Sequence, residues 1–75
     1  MPLFRIVIIR VGLQVSTKGY PNRVMASAAY AKAVARCARQ ANLYRIPYRV
    51  ELWRSETLIE HADILAGLIV PQPRA

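Results

Sequence analysis

Acid–base or metal chemistry in this chain would have to begin at His61, its one histidine, which stands beside Glu60 and two residues from Asp63. If the segment is helical, His61 and Asp63 project in different directions; if it is a strand, His61 and Glu60 face opposite sides, so neither spacing is a metal-ligand motif. The other candidate is Cys37, the single cysteine, which lies on an apolar stripe and reads as buried packing rather than as a reactive thiol. With no activated nucleophile, acid–base pair or ligand cluster, the sequence points away from an enzyme, and no catalytic residue, metal or cofactor is expected.

The chemistry that remains is electrostatic. Residues 1–50 hold nine basic side chains and no acid, while residues 51–75 hold all four acids against Arg54 and Arg74, for a net charge of +7. Such polarity favours a polyanion or an acidic protein surface as partner. Two groups could carry the contact. Lys32, Arg36 and Arg39 occupy successive helical turns, where like charges cost roughly a few tenths of a kcal/mol per pair that an acidic partner would relieve. Arg45, Arg49 and Trp53 share one side of a strand pattern, an aromatic beside guanidinium groups that could stack on a base or anchor a protein interface.

The element that must position the first group runs from Asn22 to Asn42, an alanine-dense segment expected to form one long helix. At 3.6 residues per turn, Val24, Ser27, Tyr30, Ala31, Val34, Cys37, Ala38 and Ala41 fall on one stripe, opposite the three cations. Asn22 suits the N-cap, and Asn42 suits the left-handed residue that often ends a helix. Alanines leave a narrow profile, so close packing on a sheet is expected.

Before the helix, Leu3 to Leu13 is rich in β-branched residues and reads as a strand covered on nearly both sides, with Gly12 ending or bending it. Gln14 to Pro21 reads as a polar connection, punctuated by Gly19 and Pro21. Its Ser-Thr-Lys-Gly run lacks the Walker pattern of a nucleotide-binding loop. After the helix, Tyr44 to Arg54 alternates, with Ile46, Tyr48, Val50 and Leu52 on one side and Arg45, Arg49, Glu51 and Trp53 on the other, as a half-buried strand does.

Thr57 to Val70 supports two assignments. Leu58, Ile59, Ala62, Leu65, Ala66 and Ile69 follow helical spacing, and Thr57 with Glu60 has the spacing of a capping box, which favours a short helix and then a small strand at Leu68 to Val70. The alternative is a β-hairpin that pairs Trp53 with Leu58 through a Ser55-Glu56 turn. Residues 71–75 are expected to fray.

The fold class is therefore α+β: a single small domain over residues 1–75, with a β-α-β start, one long helix on a two- to three-stranded sheet, and a short helix plus strand at the end. The 55% hydrophobic content exceeds the roughly 45–50% of an ordinary domain, which leaves apolar surface for a possible homodimer. One cysteine suits a reducing compartment. The N-terminal MPLFRIVIIRVGL is interrupted by Arg5 and Arg10 and is too short for a signal core or a span, so a cytoplasmic protein without membrane contact is expected.

The chain lacks the aromatic submotifs of an RNA-recognition motif, the GXXG loop of a KH domain and the paired helices of a helix-turn-helix. In size, β-α-β start and charge imbalance it resembles small phage-encoded proteins that inhibit host polymerase or CRISPR machinery. That resemblance implies an inhibitor, an anti-CRISPR or host-takeover protein, seated on an acidic protein surface, and transfers no residue roles. The first expectation is a non-enzymatic basic module contacting nucleic acid or a nucleoprotein complex through the helix cations. The inhibitor is the second, and a structural subunit of a homo-oligomer the third.

Overall fold

A computed structural model describes residues 3–11, 13–65 and 68–71. Its elements run β1 (Phe4–Arg10), β2 (Leu13–Tyr20), α1 (Arg23–Tyr44), β3 (Tyr48–Arg54), β4 (Thr57–Leu65) and β5 (Leu68–Pro71). The strands form one antiparallel sheet in the order β2-β1-β3-β4-β5, four long strands with the short β5 at one edge, and α1 lies across one face. The α+β class holds, with more strands than the two or three expected.

Several segments differ from the expectation: the first strand, expected from Leu3 to Leu13, ends at Arg10, and Leu13 already opens β2. Gln14 to Tyr20, expected as a connection, is most of β2, paired along β1 with a bulge at Ile8/Ile9. Every β2 residue up to Gly19 is exposed, so the strand has no buried side to leave an alternating pattern and is held through its backbone ladder to β1. The start is thus β-β-α-β. The C-terminal segment is not a helix: it takes the hairpin alternative, with Trp53 opposite Leu58 and Ser55 and Glu56 in the turn. Ala62 and Ile64 are buried at a period of two, and pairing to β3 satisfies the backbone that a helix would have satisfied internally. A bulge at Leu52/Trp53 shifts the register. Pro71, expected in the frayed tail, closes β5 opposite Ala62; the rest of that tail and Gly12 lie outside the described residues.

The helix begins as expected, with the Asn22 side chain accepting a hydrogen bond from the Met25 amide at 2.9 Å. It ends later, at Tyr44, and the left-handed residue is Arg45 (φ 57°) instead of Asn42. Strand β3 consequently starts at Tyr48, and Arg45 belongs to the helix end and not to the strand. Val11 in the first turn and Ser55 in the second also have positive φ, of 52° and 53°.

The core lies between α1 and the sheet, and nearly all its bulk is sheet-borne: Phe4, Ile6, Tyr48, Val50, Leu52 and Ile64. Full burial of side chains such as Leu52 or Ile64 stabilises by about 1.5–3 kcal/mol each. The helix adds Ala26, Ala33, Cys37 and Ala41, with Tyr30 and Val34 packed at the margin. This phase departs from the expected stripe. Val24 is 79% exposed, Ser27 and Ala31 also face water, and Ala26 and Ala33 are buried in their place. The departure separates two expectations for stability. Ala33→Leu should overpack the interface and cost about 1–3 kcal/mol, whereas Val24→Ala should change stability by less than about 0.5 kcal/mol. Urea unfolding of both variants checks it, and the reverse ranking would restore the stripe read from the sequence.

Candidate nucleic-acid interface

Because the buried stripe of α1 is narrow, its cations point outward. Lys32, Arg36 and Arg39 are all exposed and frame a shallow depression around Ala35. A second depression continues from Arg36 and Arg39 past Gln40 to Leu43 and Tyr44. Among the described residues none of the three cations is in an ion pair. The reason is topological: Glu51, Glu56, Glu60 and Asp63 all belong to the β3–β4 hairpin, and α1, β1 and β2 contain no acid.

The second expected group is arranged differently. Arg49, Glu51 and Trp53 do share the helix-free face of the sheet, as the alternation of β3 predicts. Arg49 Nε donates to Glu51 Oε2 at 2.8 Å and its Nη1 donates to Asp63 Oδ1 at 3.4 Å. The Trp53 indole donates to the other Glu51 oxygen at 3.0 Å. Arg5, directly opposite Trp53 on β1, sets its guanidinium 5.1 Å from the centre of the indole ring, a cation–π distance. Both oxygens of Glu51 are thus engaged, the charge of Arg49 is met by two carboxylates, and Trp53 is half-buried with one face occupied. Arg45 stands apart at the helix end.

His61 is brought beside Asp63, with Nδ1 3.9 Å from Oδ2, too long for a hydrogen bond, and that nitrogen is buried without a partner. The strand geometry that places residues i and i+2 on one side explains the meeting, which a helical assignment excludes. The thiol of Cys37 is on the opposite face of the sheet, under α1, where burial pushes its pKa up against the smaller opposing effect of Arg36. It cannot serve the His61–Asp63 pair. Tyr30, at the helix margin, is pushed up to about 12, first by burial and then by the Glu60 carboxylate, so its hydroxyl stays neutral. Among the described residues no group of three or more histidines, cysteines or carboxylates is placed to hold a metal ion, and no helix is long and apolar enough to cross a membrane.

Two further groups near the helix cations were not singled out from the sequence. Arg10 ends β1 on the side of the sheet that α1 covers, and Lys18 sits opposite Ile6, a core residue, so its side chain leaves β2 on that side too. The side of Arg10 follows from the alternation of Phe4, Ile6 and Ile8 in β1, whereas that of Lys18 is found only once Gln14 to Tyr20 is known to be a strand. Compared with protein-family models, curated proteins and solved structures, the chain matches none of them.

The carboxylate of Glu51 is the join of the helix-free face. Glu51→Ala leaves the Trp53 N–H without its acceptor and Arg49 with Asp63 alone, at an expected cost of about 1–3 kcal/mol. Trp53, the only tryptophan, reports the unfolding by fluorescence. A loss under about 0.5 kcal/mol would show that the network is ornamental to stability.

Proposed function

We propose that the protein is a non-enzymatic binding module whose outer α1 face contacts the phosphate backbone of a nucleic acid, free or within a nucleoprotein complex. The observation that carries this reading is the exposed row Lys32, Arg36 and Arg39, without a carboxylate partner among the described residues, on a layer that contains no acid at all. Three unneutralised cations on adjacent turns repel one another, and phosphates spaced along a strand relieve that repulsion while releasing condensed counterions.

The helix-free face favours the same choice by exclusion. A basic face with an exposed aromatic would suit single-strand stacking. Here Glu51 and Asp63 hold Arg49, and Arg5 covers one side of Trp53. That leaves the α1 layer as the stronger field for an anion. Backbone contacts of this kind position a polyanion without reading its sequence, so weak sequence preference is expected.

Replacing Lys32, Arg36 and Arg39 together by glutamate alters the charge by two at each position and takes the net charge from +7 to +1. Lysine, arginine and glutamate are similar helix formers, and all three positions are exposed, so the fold should persist. Mobility shifts on duplex DNA, single-stranded DNA and RNA across a salt series should show wild-type binding that weakens with a log–log slope of about −0.9 per phosphate on duplex and −0.7 on single strands. The triple variant should lose well over tenfold in affinity. Absence of binding by the wild type to all three at low salt overturns the proposal. An acidic protein surface, as an inhibitor would use, then becomes the better account of the same row.

A further inference from the structure

Helix α1 packs chiefly over β3, β4 and β1 and only grazes β2, which leaves a cleft between the helix and the β1–β2 hairpin. The cleft has a volume of about 250 Å³, far more than the ~10–15 Å³ that one water requires. Arg36 and Gln40 line it from the helix, Ser16 from β2 and Arg10 from the end of β1, with Cys37 and Tyr48 also in its lining. Two arginines, a serine and a glutamine therefore border one open recess beside the apolar Ile8 and Val15, and no carboxylate residue lines it.

We propose that this cleft is a phosphoryl seat, in which Arg10 from the sheet and Arg36 from the helix close on the same phosphate group. A guanidinium presents its donors as a planar fork that matches two phosphate oxygens, and two forks approaching from different elements suit a tetrahedral anion better than a flat carboxylate. Ser16 and Gln40 supply neutral donors for the remaining oxygens. No carboxylate residue lines the cleft, and burial pushes the Cys37 thiol pKa up, away from the thiolate. Among the described residues neither arginine has an ion-pair partner and both are exposed, so an entering anion displaces only water and counterions from them.

Arg36 belongs to the outer row of α1 as well as to the cleft. In the form that takes a strand as ligand, the inference rests on the nucleic-acid reading above: a backbone laid along Lys32, Arg36 and Arg39 would drop one phosphodiester into the cleft. A free phosphate or phosphate monoester has the same chemistry and would fill the seat without that reading. Lys18 leaves β2 on the side α1 covers but does not line the cleft; its ammonium lies 5.9 Å from the centre of the Tyr20 ring.

The test uses the full chain, labelled with nitrogen-15, as wild type and as Arg10→Gln and Arg36→Gln variants. Each is titrated with inorganic phosphate, against chloride at matched ionic strength, and with a single-stranded oligodeoxynucleotide. Phosphate should shift the amides of Ser16 and Gln40 in the wild type, and either substitution should weaken that response about tenfold. Arg10→Gln should also reduce the log–log salt slope of oligonucleotide binding by about 0.7, the loss of one phosphate contact. A phosphate response at the cleft without oligonucleotide binding keeps the seat and assigns it to free phosphate, and it removes the nucleic-acid reading if duplex DNA and RNA also fail to bind. Oligonucleotide binding whose slope and affinity are untouched by Arg10→Gln, with no phosphate response at Ser16, overturns the seat and leaves the α1 reading standing. No response to either probe overturns the seat.

Discussion

The arrangement depends on how closely one helix can lie on a sheet. Where α1 meets β1, β3 and β4 its fully covered positions are Ala26, Ala33, Cys37 and Ala41, none larger than a cysteine. The helix backbone can therefore approach the aliphatic side chains of the sheet, and close packing of this kind is what a domain of this size relies on for stability. The same economy has an electrostatic result. Since small residues suffice to seat the helix, apart from Tyr30 and Val34 at the margin its long side chains are directed to water, the cations among them.

Charge is then partitioned by element. The β3–β4 hairpin contains every acid and settles much of its own balance through Glu51, Arg49 and Asp63, on the face away from the helix. The helix layer and the β1–β2 hairpin contain none, so their cations have no internal counterion to fold against. A domain divided in this way presents a directed field, with the cationic layer and the cleft beside it as the place where an anion gains most. Both arginines of the cleft depend on the sheet order: Arg10 and Arg36 face one recess only because β2 flanks β1 outside the footprint of α1.

Much of this was legible wherever burial imprints a period on the sequence. Tyr48, Val50 and Leu52 alternate with Arg49, Glu51 and Trp53 because one side of β3 is covered, and the sides were assignable from the pattern alone. The outward position of Lys32, Arg36 and Arg39 was legible for the same reason. The rotation of the helix was not, since a segment so rich in alanine has little contrast between its sides, and Val24 drew the stripe towards itself although it is exposed. Strand β2 was hidden because an edge strand wet on both sides carries no alternation, and its polar residues resemble a loop. In β4 the spacing of Leu58, Ile59, Ala62 and Leu65 imitates a helix, while the turn that forms the hairpin puts Ser55, and not the glycine or asparagine that would have signalled it, at positive φ. The cleft followed β2 out of sight, because Ser16 and Arg10 meet the helix only once the hairpin is known.

The central claim is that the acid-free layer of the domain, α1 together with the β1–β2 hairpin, is the surface that meets a polyanion. Amide chemical-shift mapping on the wild-type chain during titration with a short single-stranded oligodeoxynucleotide at low salt tests it most directly. The account predicts shifts concentrated at Lys32, Ala35, Arg36, Arg39 and Gln40, extending to Ser16 and Lys18, with Glu51, His61 and Asp63 unmoved. Shifts centred instead on Arg5, Trp53 and Arg49 would contradict it, since the helix-free face would then be the one that binds.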